Sequence, residues 1–516
     1  MNHSVPFFHA TFQNGKTITR GISHCNLGHK IPIGTDRIDG IYVDWNWDGQ
    51  RLEVKNDLYG FYPLYVYHDQ NEICISPSIV KLLAEGAKRD LNWPALGVFM
   101  RAGFFIKDDT PFRYIRALPP NAKFLWGNGK LKISGSYTLR DENKLTLSQA
   151  LDDYIDLFRQ AIKRRLPRNR ECFLPLSGGR DSRHILFELL KNGIRPQSCI
   201  TVEHYTQGSN EDARIAQLLA STFSLKHILL RQTVPFFNSE YRKNFLTNMC
   251  TDEHTHFLIM ADILANSNHA IYDGIGGDIL TSSRTLSNTI LQLFRSRNFR
   301  ELSNLIFRCD ENLLKWLLRR NIYSKMNRES AIEYLTTELE QHTDVPNPPG
   351  SFYFWNRTRR EISLSSYALC GFNSLIHMPY IDYDLFNFLA GIPTSLLLNQ
   401  DFHTRAISRA FPEFDNIPYQ DKTVKDVDRE SLQDRFFYDV LAYLMRYPFY
   451  KTEMLQLESL IPRCLHALIS PSKRRDSIWF TKPLLYLLQL EELATKPAVI
   501  SNALRIVERR DTVKTT

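Results

Sequence analysis

The sequence predicts an α/β protein in two parts with a helical C-terminal region. Three observations favour it: alternating apolar residues and turn signals up to about residue 140, strand and helix patterns alternating from about residue 145, and helical spacing beyond residue 290. A chain of 516 residues is too long for one ordinary core, so we expect two domains, residues 1–142 and 143–516. With 43% hydrophobic and 23% charged residues, the composition is that of a globular protein.

The first part has the period-two pattern of antiparallel strands. An alternating segment is followed by Asp48 and Gly49, which form a typical hairpin turn, and residues 127–129 read Gly-Asn-Gly between two further apolar segments. The strands predicted for this part are residues 41–47, 51–54, 63–67, 73–76, 123–126 and 131–134.

The pattern changes near residue 145, where apolar residues take helical spacing over residues 147–164. Strands and helices then alternate, which predicts a doubly wound parallel sheet with helices on both faces. The elements predicted here are a strand at residues 171–176, a helix at 182–191, a strand at 198–202, a helix at 211–223 and a strand at 227–230.

Charge and cysteine usage limit the class of partner and the compartment. The net charge of +8 is a mild excess for this length. The densest basic cluster lacks interleaved aromatic residues, and we interpret it as a solvated helix end rather than a nucleic-acid surface; it comprises Lys163, Arg164, Arg165, Arg168 and Arg170. The eight cysteines are scattered, without a C-x-x-C pair, and the N-terminus has no signal-peptide pattern. We expect a cytoplasmic protein with no nucleic-acid partner and no integral membrane segment.

The strongest chemical signal is the loop between the first strand of the second part and the helix after it. Residues 177–182 read Ser-Gly-Gly-Arg-Asp-Ser. The start of a helix attracts an anion, because its first N–H groups lack partners and its dipole is positive there. Gly178 and Gly179 let the backbone approach that anion, and Ser177 and Ser182 add hydroxyl donors.

Asp181 in the same loop does not favour a bare phosphate, so it requires a cation, most simply Mg²⁺. The loop is not a Walker loop, which needs G-x-x-x-x-G-K-[ST]. It has the pattern of the pyrophosphate-loop ATPases, which cleave ATP between the α and β phosphates. The alternative is an ordinary strand–turn–helix with a Ser N-cap, which leaves two glycines and a carboxylate unexplained.

Together with other segments, this loop resembles the asparagine synthetase superfamily, which includes β-lactam-forming synthetases and the cyclases of lasso peptides. The resemblance covers about residues 145–430. The segments that carry it, in order, are residues 177–182, 210–223 with 226–227, 272–278 (Tyr-Asp-Gly-Ile-Gly-Gly-Asp), 378–382 (Met-Pro-Tyr-Ile-Asp) and 421–422 (Asp-Lys).

The resemblance implies a role for each matching residue. Asp181 and Asp278 would hold Mg²⁺ on the pyrophosphate of ATP, and Lys422 would stabilise the charge that develops at the α-phosphate. The residues implied in binding the phosphates are Ser177, Gly178, Gly179, Asp181, Ser182 and Gly276. The plainer alternatives are a helix cap for Asp278 and a solvent-exposed lysine for Lys422.

The first part resembles the glutaminase domain of the same superfamily. Residues 57–65 match its Asp-x-x-Gly-x-x-Pro-Leu-Tyr segment, and residues 116–121 match its closing Leu-Pro-Pro turn. The resemblance implies a degenerate Ntn-type (N-terminal-nucleophile) αββα sandwich. A working glutaminase needs a cysteine as residue two, whereas Asn2 stands here and the first cysteine is Cys25. We expect no glutamine hydrolysis, so the amine is free ammonia or part of the substrate.

The standard base of the superfamily is also missing. Ile275 and Leu375 stand where related enzymes have ionisable residues, and neither accepts a proton. His254, His256 and His377 are candidate replacements, although a histidine without such a role is the more common case.

These residues predict an ATP-dependent ligase that adenylates a carboxylate, releases pyrophosphate and couples the acyl group to an amine. Its substrate would be a small molecule or peptide with a carboxylate and an amine, and the specific case we favour is macrolactam closure of a lasso-type peptide. A peptidase or carrier of the same biosynthetic pathway would then be a partner. The alternatives are an asparagine-synthetase-like or β-lactam-synthetase-like enzyme on a small molecule, a pyrophosphate-loop nucleotide or tRNA modifier, and a non-catalytic nucleotide-binding protein.

Overall fold

The structure is a computed structural model with three five-stranded sheets and many helices. It is a mixed α/β protein, as the sequence predicts. The residues it describes are 4–35, 37–137, 141–167, 170–203, 210–231, 236–264, 269–281, 285–370, 375–421, 430–445 and 452–508.

The first ten strands form two antiparallel sheets, in the orders β2-β1-β7-β6-β8 and β10-β9-β5-β4-β3. This confirms the β-rich prediction for the first part. Their bounds are β1 Phe8–Gln13, β2 Lys16–Gly21, β3 His24–Ile33, β4 Arg37–Trp47, β5 Leu52–Asn56, β6 Tyr65–Asp69, β7 Glu72–Ser76, β8 Ile115–Ala117, β9 Lys123–Gly127 and β10 Lys130–Ser134.

The two antiparallel sheets pack face to face. Phe8 of the first sheet lies against Trp47 of the second, with ring centroids 5.6 Å apart. Helices α1 (Ile79–Ala84) and α2 (Trp93–Ala102) cover the outer face of the first sheet. On the second sheet, alternate residues of β5 and β9 are exposed. Within the described ranges, these two strands therefore lack the outer helical layer that an αββα sandwich implies.

The third sheet is parallel throughout, in the order β13-β12-β11-β14-β15. Its strands are β11 Cys172–Pro175, β12 Ser198–Val202, β13 His227–Leu230, β14 Ala270–Tyr272 and β15 Leu375–His377. Helix α3 (Leu147–Arg164) precedes the first of these strands. The helices between the strands include α4 Asp181–Lys191, α5 Glu211–Thr222, α6 Phe236–Leu246, α7 Leu258–Leu264 and a 3₁₀ turn Thr255–Phe257. The predicted helix at 147–164 is confirmed; Thr146 and Gln149 form a capping box at its start.

The strand order reverses between β11 and β14. From β11 the chain builds outward through β12 and β13, and it then returns to the other side of β11 with β14. Such a reversal leaves a crevice at the carboxyl ends of the two central strands, where ligands of open parallel sheets bind. The loops that follow β11 and β14 both lie at this crevice.

The remainder of the described chain is mainly helical, as predicted. The helices are α8 Gly277–Thr281, α9 Asn288–Arg295, α10 Phe299–Ile306, α11 Glu311–Leu317, α12 Arg320–Lys325, α13 Arg328–Leu339, α14 Pro348–Tyr353, α15 Tyr383–Ala390, α16 Thr394–Leu397, α17 Phe402–Ala410, α18 Glu430–Met445, α19 Leu457–Ile469, α20 Pro471–Thr495 and α21 Pro497–Glu508. Two π-helical segments, Phe354–Ile362 and Ser365–Leu369, follow α14, and short 3₁₀ turns occur at Glu340–His342, Pro379–Ile381 and Pro412–Phe414. Among the described helices, none is both long and apolar enough to cross a bilayer.

The basic cluster at the end of α3 is solvated only in part: Lys163 and Arg170 are exposed as expected, but the interpretation is wrong for Arg164 and Arg165. Arg165 is 2% exposed and donates to Asp382 at 2.6 Å and to Asp39 at 2.7 Å. Arg164 donates to Asp382 at 2.7 Å. The two acids come from β4 and from the N-cap of α15, so local sequence gives no sign of the pairing. Arg168 lies outside the described residues.

Candidate active site

The loops after β11 and β14 meet at the crevice, and they bring the two predicted metal ligands together. The backbone N–H of Asp278 donates to the carboxylate of Asp181 at 3.1 Å, across 97 positions of sequence. A Cβ placed on Gly277 would lie 2.5 Å from the carboxyl carbon of Asp181, and one on Gly274 would lie 2.8 Å from its Cβ. Real Cβ atoms do not approach so closely, so these two glycines are what allow the loops to touch.

The loop of residues 177–182 curls upon itself at the start of α4. The hydroxyl of Ser182 accepts from the backbone N–H of Ser177 at 3.0 Å, and the two serine hydroxyls are also 3.0 Å apart. The N–H of Gly179 donates to the Ser177 hydroxyl at 3.2 Å. The predicted phosphate-binding groups thus form one compact turn at a helix N-terminus, where an anion is favoured.

Asp212 contacts this turn; it lies in a segment that carries the resemblance, but no role was predicted for it. Its carboxylate accepts the backbone N–H of Gly178 at 2.8 Å. This N–H, which the resemblance assigns to a phosphate, therefore already has an acceptor. Asp212 lies at the start of α5, where a carboxylate is favoured by the helix dipole.

Asp181 rests on a buried polar layer that sequence reasoning also missed. His403 is fully buried, and its Nδ1 lies 3.3 Å from a carboxylate oxygen of Asp181. The hydroxyl of Tyr380 donates to the backbone carbonyl of Asp181 at 3.1 Å. His184 lies 3.3 Å behind His403, and burial, reinforced by His403, lowers the pKa of His184 well below its usual value. These contacts fix both the backbone and the side chain of Asp181.

The two loops form part of the wall of an open cavity of about 780 Å³. This volume lies within the range of small-molecule sites, about 300–1,000 Å³. The polar groups that line it near the two loops are Ser177, Asp181, Ser182, Asp212, Asp273 and Asp278. Ile200, Thr201 and Val202, at the carboxyl end of β12, line the same cavity.

Asp273, the first residue after β14, is a further acid that the sequence did not single out. It accepts the backbone N–H of Ile275 at 3.0 Å and the hydroxyl of Ser366. Burial raises the pKa of Asp273 above its usual value, although these hydrogen bonds oppose the shift. Asp273 therefore holds the turn that carries Ile275 into the cavity lining.

A second group of charged residues lines the cavity from the segment before α7 and from the first π-helical segment. Arg357 pairs with Glu253 at 2.7 Å and with Glu361 at 3.2 Å. Burial, followed by the charge of Glu253, raises the pKa of Glu361 to about 8. His254 and His256 line the same part of the cavity. The wall thus combines acids, an arginine and two histidines.

The remaining predicted residues have different outcomes. Gly276 lines the cavity with its neighbours in the loop after β14. Lys422 lies outside the described residues. Gln420, two positions earlier, lines the cavity, and its N–H donates to the carbonyl of Gly178 at 3.1 Å. The segment that leads to Lys422 therefore reaches the loop of residues 177–182.

Of the three candidate histidines, His377 is the one that the structure does not place in the described cavity lining. It ends β15. Its ring packs edge-on against His29 of β3, with centroids 5.1 Å apart.

Cys25 also lies in β3, and burial, with a smaller contribution from Asp44, raises the pKa of its thiol to about 11.

The acids at the crevice fit a divalent cation. Asp181 and Asp278 both line the cavity, and the Asp181 side chain is 26% exposed. Carboxylate oxygens beside a helix N-terminus suit Mg²⁺ when it arrives with phosphate oxygens. Glu253, His254 and Glu361 form a second group, in which one ligand atom from each lies within 4.8 Å of the others.

No protein-family model matches this sequence, and no curated protein matches it either. Among solved structures, the chain is similar to one described as the structure of the allosteric regulatory enzyme of purine biosynthesis. The sequence identity is 9% and the TM-score is 0.15. The match covers 39% of this chain and 48% of that chain, so it spans about half of that protein.

Proposed function

We propose that this protein is an ATP-dependent, AMP-forming carbon–nitrogen ligase similar to the asparagine synthetase superfamily. The observation that supports this most is the contact between Asp181 and Asp278 at the strand-order reversal of a parallel sheet. The pyrophosphate-loop pattern on its own predicts only an anion site. With a second acid beside the first, the two carboxylates could hold a cation against the leaving pyrophosphate.

In this proposal the residues at the crevice divide the work of adenylation. The turn of residues 177–182 binds the β and γ phosphates, and Asp181 and Asp278 hold Mg²⁺, which would neutralise charge on the leaving pyrophosphate. His403 and Tyr380 keep Asp181 in place. Lys422 stabilises charge at the α-phosphate. A substrate carboxylate attacks that phosphate in line, and pyrophosphate leaves.

The amine that completes the reaction does not come from glutamine in this proposal. The first cysteine, Cys25, lies within β3, and burial raises the pKa of its thiol to about 11, so the thiol stays protonated at neutral pH. A substrate that carries both a carboxylate and an amine satisfies this condition. Macrolactam closure of a lasso-type peptide, with a partner peptidase in the same pathway and a cytoplasmic location, is the specific case we favour.

The direct test is exchange of labelled pyrophosphate into ATP. The full chain is incubated with ATP, Mg²⁺ and a panel of amino acids and short peptides. We expect exchange that depends on at least one carboxylate of the panel and that is lost on adding EDTA. Binding of ATP without exchange for any member would contradict the ligase and favour a nucleotide-binding protein. Exchange that depends on RNA would favour a nucleic-acid modifier.

A further inference from the structure

His254 is a buried polar side chain on the wall of the cavity that makes no hydrogen bond through its ring. It is 8% exposed, and among the described residues neither ring nitrogen has a hydrogen-bond partner. Buried polar atoms in folded proteins are nearly always paired. An unpaired ring that lines a cavity therefore points to a ligand that the ring binds.

The ring of His254 faces two acids to which it is not bonded. One of its nitrogens, one carboxylate oxygen of Glu253 and one of Glu361 all lie within 4.8 Å of one another. Ligand atoms lie about 2.0–2.2 Å from a bound metal ion, so they are about 3.0–3.6 Å apart around it. The side chain of Glu253 is 44% exposed and has room to turn toward the other two. The three atoms thus converge on one point at nearly the spacing of metal ligands.

Arg357 orients the two acids and leaves carboxylate oxygens for an ion. Its guanidinium donates to Oε2 of Glu253 at 2.7 Å and pairs with Oε2 of Glu361 at 3.2 Å. Oε1 of Glu361 accepts the hydroxyl of Thr251 at 3.2 Å and the N–H of Asp252 at 3.3 Å. Carboxylates that bind metal ions are commonly fixed by such outer hydrogen bonds. Within the described residues, Oε1 of Glu253 accepts no hydrogen bond.

The two lysines near this group are engaged with a different acid. Lys243 and Lys482 pair with the buried carboxylate of Glu240 in α6, at 2.9 and 3.7 Å. Arg357 is the cation that pairs directly with the two acids of the group. When both of these acids are ionised, their charge exceeds that of Arg357 by one, so a bound cation is favoured electrostatically.

The types of ligand select the class of metal ion. One imidazole with two carboxylates suits Zn²⁺, whereas Mg²⁺ and Ca²⁺ prefer oxygen ligands alone. Three protein ligands leave the fourth position of a tetrahedral zinc ion open. Glu253 and His254 both line the cavity, so the open position is accessible to a molecule in the cavity.

We propose that Glu253, His254 and Glu361 bind Zn²⁺ and form a second metal site of the cavity. The fourth ligand of the ion is a water molecule or an oxygen or nitrogen atom of the molecule in the cavity. The site does not rest on the proposed function, because its three residues lie outside the loops that follow β11 and β14.

Titration of the full-length protein with Zn²⁺ tests the site directly. The protein is first stripped of metal and then titrated against a chromogenic zinc chelator, with excess Mg²⁺ present to occupy the acids of the crevice. We expect one tightly bound Zn²⁺ per chain and a melting temperature that rises as zinc is added.

Two ligand variants should each weaken zinc binding at least about 100-fold, the upper end of what even an outer hydrogen-bond partner contributes. Glu253→Gln keeps the size of the side chain and removes its charge. His254→Asn removes the ring, and Asn tolerates the left-handed φ of 74° at this position. Because Glu253 is 44% exposed, Glu253→Gln is expected to fold and decides alone if His254→Asn does not fold.

His256→Asn is the matched control. The ring of His256 lies on the same wall, but it packs on Phe257 with centroids 4.3 Å apart and is not part of the group. This variant should bind zinc as tightly as wild type, and so should Asp181→Asn, which alters the acids of the crevice. Co²⁺ in place of Zn²⁺ adds a spectroscopic readout, because a thiolate ligand such as Cys370 of the cavity lining would give a charge-transfer band.

Each contrary result overturns the site. Absence of tight zinc binding in wild type, or unchanged binding in folded Glu253→Gln, removes the three residues as ligands. Loss of binding in His256→Asn or Asp181→Asn, or a thiolate band with Co²⁺, assigns the ion to other residues. Displacement of the zinc by Mg²⁺ shows a site without selectivity for an imidazole ligand. Pyrophosphate exchange tests the proposed function separately, so either one can fail without the other.

Discussion

Two loops of this protein each carry an aspartate and a glycine but have opposite surroundings. Asp57 directly follows β5, whereas Asp181 begins α4 at the end of the loop that follows β11. Asp57 is 1% exposed and accepts N–H groups from Tyr59, Phe61 and Tyr62 at 3.0, 3.2 and 3.2 Å. The side chain of Asp181 is 26% exposed and lines the cavity.

The difference follows from the sheets that carry the loops. β5 belongs to an antiparallel sheet, in which neighbouring strands end at opposite edges. Its loop is covered by packing, since a Cβ on Gly60 would lie 3.2 Å from both Arg359 and Pro120. β11 belongs to a parallel sheet, so its loop shares an edge with the loop after β14. Carboxylates converge on open space only in the second case, which makes Asp181 a candidate ligand and Asp57 a structural residue.

The largest effect should come from Asp181→Asn. The amide keeps the size of the side chain and its hydrogen bond to the N–H of Asp278, but it removes the charge that would hold Mg²⁺ in the proposed site. We expect pyrophosphate exchange to fall at least about 100-fold, comparable to the loss of one preorganised electrostatic group. The melting temperature should stay within a few degrees of wild type. A variant that keeps wild-type exchange would show that Asp181 is not a metal ligand.

Asp57→Ala should lower the stability of the fold and leave the exchange activity nearly unchanged. The substitution leaves three buried N–H groups without an acceptor, which should cost about 2–4 kcal/mol of unfolding free energy. Urea denaturation followed by tryptophan fluorescence measures this cost. Exchange activity per folded molecule should remain within about twofold of wild type, because Asp57 does not line the described cavity. A large loss of activity in a stable variant would contradict the division between the two loops.

The sequence predicts much of this architecture because the relevant signals are local. Strand and helix periodicity indicates the parallel sheet. Each of the two glycine-rich loops is recognisable from a few consecutive residues after its own strand. That Asp181 and Asp278 meet follows from a general rule: parallel strands end at one edge. The contact therefore needed no knowledge of side-chain packing.

What the sequence did not predict depends on distant partners. His403, which contacts the carboxylate of Asp181, and Asp212, which accepts the N–H of Gly178, belong to other elements. No motif marks His403, and the segment that contains Asp212 does not indicate this contact. Arg165 reads as a solvated residue in a basic run, yet it is buried between two acids that are far from it in sequence. His254 and His377 were equal candidates by sequence, and only their positions relative to the cavity separate them.

The smallest expected effect is a pH dependence of stability, which reports whether Asp57 is charged in the folded protein. Burial raises the pKa of Asp57 from 3.8 to about 6 in the folded protein, against four backbone hydrogen bonds that lower it. Between these two values the folded state binds a proton that the unfolded state has released. Asp57 therefore stabilises the fold more at low pH, and this contribution is lost as the pH rises through about 6.

Asp57→Asn removes this titration and leaves every other ionisable group in place. The stability advantage of wild type over the variant should be larger at pH 5 than at pH 7. The change is at most about 1.4 kcal/mol for each pH unit within the window. Urea denaturation of both proteins at pH 5, 6 and 7 measures it, since titrations common to both proteins cancel in the difference. Parallel curves would mean that Asp57 ionises in the fold as it does in the unfolded chain, with its backbone hydrogen bonds outweighing burial.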